Sequence, residues 1–599
     1  MQNSNKRINE ILLISALSII PKLVLVFYAY PFNIIGDEIW TLASAAKIAG
    51  FDWTGILDGG RYYGMGFYSL FFPLFRMIDS PVVLYRSILF ICVIMNSLIS
   101  IIAYFILINF SNIKKRGLRI PMAVLASYFV ILPVTYIYNE HIYVLICWCV
   151  LLLLLLLDAN QDNKKKVMLY TVLLLTILTY AMLIHNRAIT LWIAVVFVII
   201  LYFIAYRKWI VNWKVFSIMG IIVYILINIF IEHQVEWLWI TSSENLGNTA
   251  VYNGGLLNIL KPEYWQAWIS IILGQLFTGD VFTGGLLIFL FIIAVVFIYK
   301  VFCKSEKTEK DTIMFIVFVF TLVCVAITIG GQSVNWLQGV KEAMERRSSN
   351  ADAYRGVTYL RYYMSYVGPM LLLGSIYLKE KWHENKKYVP YIIWAKVLLC
   401  VVWFAFIFPY IISAGTAASS FRPFSFQSIF DITSGMRTYF PAVVVSIILF
   451  VYVIIVLHYK KSYQSIIFLF SLFFIYKYIY TGITVLNIEK DNYQSINGFA
   501  KVVDEHKDIC NNIKEIYVQG DRALKEELQF LLKESLIKTD INYADEFILF
   551  SQFLDNTNAI GDLDIYYGQI DENEYIYVKG KENLDIIENL GIEVMQLHE

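Results

Sequence analysis

The feature that most constrains this chain is a series of thirteen apolar stretches, each near the length that carries a helix across a bilayer. They run at about 11–30, 82–109, 120–137, 142–157, 167–184, 188–206, 215–232, 281–302, 312–330, 359–378, 390–413, 439–459 and 464–485. In hydrocarbon every backbone N–H and C=O needs an internal partner, so such stretches fold as helices packed into a bundle. The first follows Lys6 and Arg7, as in a secretory leader, but lacks a small-x-small cleavage site and reads as an uncleaved span. The expectation is an all-α polytopic membrane protein over residues 1–485, with a first outer loop at about 31–81. A small extracytoplasmic α/β domain is expected over residues 486–599.

Composition agrees. The 599 residues are 59% hydrophobic and only 16% charged, with a mean hydropathy of +0.62, too little polar surface for a soluble protein of this size. A net charge of +1 hides a split. From Glu489 onward 24 Asp and Glu face 10 Lys and Arg, a balance of −14, and the preceding chain carries +15. The basic excess lies in alternate short loops: "KKRGLR" at 114–119, "NKKK" at 163–166, "RKWIVNWK" at 207–214, "KVFCKSEKTEK" at 300–310, "KEKWHENKK" at 379–387 and "YKK" at 459–461. That alternation puts the N-terminus in the cytoplasm and the C-terminal domain outside it. It is a topology signal and not a nucleic-acid footprint. The seven cysteines show no spacing for a disulfide framework or a metal site. High Ile, Asn, Lys and Tyr usage points to an AT-rich bacterium, and so to its plasma membrane.

The opposite loops carry the candidate chemistry. Asp37 and Glu38 stand side by side a few residues past the first span, before the helical "IWTLASAAKIA", where a helix N-terminus favours negative charge. They read either as capping carboxylates or as a reactive pair. Glu140, in the short turn "YNEH", is held at the membrane boundary, either as a hydrated turn residue or as a second outer acid that serves as base, partner or metal ligand. Arg187, in the turn "HNR", and Arg361, in "YLRYYMSYVGP", sit at the outer headgroup level, where a guanidinium either snorkels or grips a phosphate. Further along the first loop, "YYGMGFYSLFFPLFRMI" is apolar but broken by Gly64, Gly66 and Pro73, and reads as a helix lying on the membrane. "KPEYWQAWISIILGQLF" reads the same way. In the tail, "EIYVQG" and "IEVMQL" read as strands, "DRALKEELQFLLKES" as an amphipathic helix, and "DIYYGQIDENEYIYVKG" as a hairpin. No G-x-G-x-x-G or Walker pattern occurs there.

Together these features resemble the GT-C superfamily of integral-membrane glycosyltransferases. The resemblance is to its bacterial branch, related to protein O-mannosyltransferases, lipid A aminoarabinose transferases and RgtA-like enzymes. It rests on "GDEIWTLASAAKIA", "GRYYGMGFYSLFFPLFRM", "LGQLFTGDVFTGGLLIFL" and "RYYMSYVGPMLLL", and on the layout of residues 1–480. It implies a sugar donor on a polyprenyl phosphate and an extracytoplasmic acceptor (a glycan, lipid or protein). Asp37 would be the general base of an inverting transfer, with Glu38 orienting the loop or the acceptor. Arg187 and Arg361 would hold the leaving phosphate, Glu140 would be a second-loop acid, and Tyr62, Tyr63 and Tyr362 would line the substrate loop. No essential metal is expected, because the second loop offers "NE" and no acid-x-acid set, although Glu140 leaves a divalent ion open. The tail lacks a Trp-Trp-Asp signature, against N-linked transfer of whole oligosaccharides.

Two other readings compete. An outer-face polysaccharide polymerase or ligase would use the arginines of the later loop, Arg346, Arg347, Arg355 and Arg361. A lipid-linked glycan flippase or transporter would need ionisable groups at mid-membrane and internal repeats, and the span centres look nearly free of charge.

Overall fold

The structure is a computed structural model. It describes residues 2–31, 38–57, 64–111, 113, 115–130, 133–238, 256–303, 308–348, 354–413, 436–459, 462–495, 498, 499, 502, 506, 513–520, 522–553, 564–571 and 573–596. Helix α1 (Gln2–Phe27) opens the chain, and the segment after it holds the short helices α2 (Ala43–Ala49) and α3 (Phe72–Met77). Helices α4 (Pro81–Phe110), α5 (Arg116–Ala126), α6 (Glu140–Ala159), α7 (Lys164–Ile184), α8 (Ile189–Tyr206) and α9 (Trp213–Leu238) follow. Then come α10 (Trp265–Phe282), α11 (Leu287–Cys303), α12 (Glu309–Asn335), α13 (Leu337–Arg346) and α14 (Gly368–Glu380). Helix α15 (Val389–Val402) continues through a π-helical turn into Phe408–Ser413, and α16 (Met436–His458) and α17 (Tyr463–Ser495) complete the bundle.

Among the described residues, ten helices are long and apolar enough to cross a membrane, or eleven if one bent pair counts as a single span. The chain is a multi-pass helical membrane protein, but thirteen unbroken spans are not what folds. The bent pair is α10 and α11, meeting at 109°. Gly284 and Gly285 make that corner at φ +64° and +80°, a region open to glycine without cost. Asp280 braces it, accepting from the Ile288 amide at 2.9 Å and pairing with Lys396. "KPEYWQAWISIILGQLF" is therefore one arm of a broken helix, 18 residues long in α10, and not a separate surface helix.

The predicted spans 120–137 and 359–378 are broken as well. Helix α5 is only 11 residues long and ends at Ala126; Pro133 lies in the irregular chain that follows, where it cannot donate to a helix. Backbone outside a helix at this depth survives only where protein groups satisfy it. Lys22 donates to the Ser127 carbonyl at 3.4 Å, Tyr85 to the Thr135 carbonyl at 3.2 Å, and the Tyr478 hydroxyl accepts from the Val134 amide at 2.9 Å. The second break separates the single turn Arg361–Met364 from α14, whose first turn contains Pro369. Lys22 and Lys477 are buried within spans, so the bundle is less charge-free than its composition implies.

The tail is a six-stranded mixed sheet of β1 (Glu515–Gln519), β2 (Leu536–Lys538), β3 (Phe547–Ser551), β4 (Ile565–Asp571), β5 (Glu574–Lys579) and β6 (Met595–Gln596), in the order β2-β1-β3-β5-β4-β6. β1 is parallel to β2 and β3, and β4–β5 is the expected antiparallel hairpin. Helix α18 (Arg522–Leu531) follows β1, and α19 (Lys581–Asn589) follows β5. Strand β3 is buried along its whole length, as its run "FILFS" requires at the centre of a sheet.

Candidate functional site: two arginines on a buried glutamate

Three of the predicted residues meet. Glu140 starts α6, Arg187 lies in the 3₁₀ turn between α7 and α8, and Arg361 opens the helical turn after Tyr359. They are 47 and 174 residues apart in sequence, yet all lie at the bundle end opposite the basic loops. Arg361 donates to both Glu140 oxygens, Nε to Oε1 at 2.7 Å and Nη2 to Oε2 at 3.4 Å. Arg187 Nη2 lies 2.9 Å from the same Oε1, as an ion pair without the angle of a hydrogen bond. All three side chains are buried: 0% of Arg361, 4% of Glu140 and 9% of Arg187 is exposed. Glu140 is thus not a hydrated turn residue, and the arginines do not snorkel to water.

Tyrosines pack the arginines into place. The Arg361 guanidinium lies 3.7 Å from the Tyr138 ring centroid and 5.2 Å from that of Tyr362. The Arg187 guanidinium lies 4.2 Å from Tyr143 and 4.9 Å from Tyr362. Tyr362, the one predicted substrate-loop tyrosine among the described residues, is the ring common to both. Tyr359 accepts from Arg361 Nη1 at 3.2 Å, and Tyr143 shares a 2.9 Å hydrogen bond with Tyr366. Ring faces attract guanidinium without neutralising it. The His185 ring accepts from the Arg187 amide at 3.0 Å; burial, reinforced by the two arginines, holds its pKa well below the usual histidine range, so it stays neutral. Two guanidiniums against one carboxylate leave one net positive charge in a buried site. Arg187 Nε and Nη1 have no hydrogen-bond partner among the described residues. An arrangement of this kind can take up an anion with several acceptor oxygens.

Glu38 binds the stretch of chain that leads into Glu140. It is fully buried, and its Oε1 accepts from the Tyr85 hydroxyl at 2.6 Å and the Ile137 amide at 2.7 Å. Ile137 is three residues from Glu140, which bounds the separation of their Cα atoms at ~11 Å. Glu38 Oε2 has no partner among the described residues. Burial raises the Glu38 pKa to about 8 despite the two hydrogen bonds, which lower it, so this carboxyl is mainly protonated at neutral pH. It is therefore not a capping carboxylate in a solvated loop. The Gly-rich segment reaches the site too: Gly66 donates to the Leu183 carbonyl at 2.8 Å and Tyr180 donates to the Gly66 carbonyl at 2.8 Å, at the end of α7. That segment forms the short helix α3 after a 3₁₀ turn, with Phe67, Phe71 and Phe75 buried.

Asp37, Tyr62 and Tyr63 lie outside the described residues. Arg346 and Arg347, candidates for a ligase-like loop, are exposed at the end of α13. Residues that sequence reasoning passed over are Tyr85, Tyr138, Tyr143 and Glu489. Glu489, buried near the end of α17, accepts from the Tyr30 amide at 3.4 Å and stands near the Tyr85 hydroxyl that holds Glu38. Among the described residues no group of three or more His, Cys, Asp or Glu is placed to hold a metal ion. Both Glu140 oxygens are engaged by arginine.

No family model and no curated protein matches the chain. Among solved structures it is similar to ArnT from Cupriavidus metallidurans bound to undecaprenyl phosphate. That likeness has a TM-score of 0.48 at 11% identity, over 95% of this chain and 99% of that one. For the apo state of the same ArnT the TM-score is 0.39 at 12% identity, over 96% and 100%. Both scores lie below 0.5, and it is the side chains gathered at Glu140 that bear on function.

Proposed function

We propose that the protein is a membrane glycosyltransferase that moves a sugar from a polyprenyl-phosphate donor to an extracytoplasmic acceptor. The observation that carries this reading is the buried Arg187–Glu140–Arg361 cluster, with one positive charge in excess and open Arg187 donors at one end of a helical bundle. A lipid-linked phosphosugar brings a phosphate to that depth, with its prenyl tail in the bilayer beside it. The two guanidiniums neutralise the charge that develops as the anomeric C–O bond to phosphate breaks. A polyprenyl phosphate leaves as a stable anion, so no strong general acid is needed.

Asp37, next to Glu38, takes the proton of the acceptor hydroxyl as that oxygen attacks the anomeric carbon from the face opposite the phosphate, inverting it. Glu38, neutral at pH 7, orients the loop that carries Asp37. Tyr62, Tyr63 and Tyr362 line the substrate side of the site, Tyr362 also packing against both arginines. The N-terminus and the basic loops face the cytoplasm, and the sheet domain that follows α17 lies outside it. The test is release of labelled sugar from a panel of polyprenyl-phosphate sugars by purified protein, with Asp37→Asn beside wild type and a chelator lane. Turnover by wild type that Asp37→Asn loses supports the assignment. Equal turnover by both removes Asp37 from the chemistry, and loss in the chelator lane assigns a metal.

A further inference from the structure

The tail does not hang free of the bundle. Lys533, just past α18, donates to the Phe75 carbonyl at 3.0 Å, the Ile78 carbonyl at 2.9 Å and the Asp79 carboxylate at 3.0 Å. Those three acceptors use all three ammonium protons and cap the C-terminal end of α3, where a cation is favoured. The Lys533 carbonyl in turn accepts from the Trp53 indole at 3.0 Å. Phe530, on α18, packs edge-on against Trp53 and Phe75, with centroids 6.4 Å apart in each case, and against Tyr85 at 6.1 Å. Strand β2 lies so close to Gly55 that an added Cβ would stand 1.6 Å from the Ile537 carbonyl oxygen. Tyr85 is the residue whose hydroxyl holds Glu38 at 2.6 Å. One aromatic ring therefore separates the tail from the buried acid.

We propose that the C-terminal domain is a positioning element of the acid site, with Lys533 fixing the first outer segment and Phe530 sealing the Tyr85–Glu38 pair against water. Phe530 and Lys533 touch no reacting atom in this scheme; they act through Tyr85 and α3. The groups that face Glu38 are Tyr85 and Cys92 from α4, Tyr136 from the broken crossing and Glu489 from α17. None of them belongs to the tail, so a change in α18 reaches Glu38 only by admitting water or releasing Tyr85. The proposal deepens the transferase reading, in that Glu38 orients the catalytic loop, but the contact and its effect on Glu38 stand without it.

The test has two arms on the full-length protein. The first is infrared titration of the protonated-carboxyl band that Glu38→Gln removes. In Phe530→Ala its midpoint moves to lower pH by about one unit or more, because a hydrated carboxyl ionises more easily, and Phe530→Leu restores most of the shift. The second is the pH profile of transfer. Phe530→Ala and Lys533→Met move its Glu38-dependent limb in the same direction, and Lys533→Arg keeps the wild-type profile. An infrared midpoint unchanged in Phe530→Ala overturns the proposal. So does a uniform fall in kcat with an unmoved limb, which is what a merely structural tail would give. If no variant and no wild-type preparation transfers sugar, the transferase reading fails, and the infrared arm still decides the positioning claim.

Discussion

Replacing Glu140 by Gln separates an anion-binding arginine pair from an ordinary buried ion cluster. The carboxylate takes a bidentate contact from Arg361 at 2.7 and 3.4 Å and an ion pair from Arg187 at 2.9 Å, with at most 9% exposure on any partner. Removing one partner of a buried pair leaves uncompensated charge and costs roughly 3–5 kcal/mol. Glu140→Gln is therefore expected to denature several degrees below wild type. The site's charge rises from one to two, however, while Tyr138, Tyr143 and Tyr362 still hold the guanidiniums. With the carboxylate ~6 Å from a bound phosphate and an effective dielectric near ~20, its repulsion is worth about 3 kcal/mol. Binding of radiolabelled polyprenyl phosphate to the detergent-purified variant is then expected to tighten on the order of a hundredfold. Arg361→Met pairs Glu140 one-to-one with Arg187, leaves no net charge, and loses that binding. Equal affinity in all three proteins, or the same loss in Glu140→Gln as in Arg361→Met, refutes the claim that the cluster exists to take an anion.

Three further outcomes follow from the described geometry. The Glu38 pKa is raised from 4.5 to about 8, so its contribution to stability is intact below about 4.5 and lost as pH rises through 8, a penalty of about 5 kcal/mol when fully ionised. A thermal-denaturation series from pH 4 to pH 10 is expected to fall between about 4.5 and 8 and level off above that in wild type, and to lose that fall in Glu38→Gln. In the tail, Glu574 accepts from the Phe499 amide at 2.9 Å and burial raises its pKa to about 7. Proteolytic susceptibility of the tail should therefore increase as pH rises from about 4.5 to 7 and level off above that, and Glu574→Gln should abolish that dependence. Gly55→Ala sets a methyl carbon against the Ile537 carbonyl oxygen, backbone against backbone, so α18 and β2 are expected to lose hydrogen-exchange protection with little change in the bundle helices.

Much of this was readable in the sequence, for identifiable reasons. Basic loops at alternate ends put Glu140, Arg187 and Arg361 on one end of the bundle, because each marks the end of an apolar run. What the runs cannot convey is depth. "YNEH" looks like a wet turn, but it follows a crossing only half helical, whose bare carbonyls draw on side chains from α1 and α4 and whose bare amides draw on α17 and Glu38. Those partners are contributed from far along the chain, so nothing local announces the break except Pro133. The hydrophilic "NIEKDNY" places Glu489 with the polar tail, yet α17 runs on to Ser495 and Glu489 is buried in it. Tyr85 and Phe530 look like ordinary apolar-face residues. Their roles come from a docking of the tail on the segment between α1 and α4 that no periodicity encodes. In the tail, the three-residue edge strand β2 and the wholly buried run of β3 lack the alternation that marks a strand in sequence.

The central claim is that Arg187 and Arg361 grip the phosphate of a lipid-linked sugar. Its most direct test is the consumption of a labelled polyprenyl-phosphate sugar by wild type, Arg187→Met and Arg361→Met in detergent or nanodiscs. The account predicts turnover by wild type and a fall in kcat/KM of about a hundredfold or more in each arginine variant, the scale of losing a donor that acts on developing charge. Variants that turn the donor over as fast as wild type, or a wild type that consumes no polyprenyl-phosphate sugar, would contradict it.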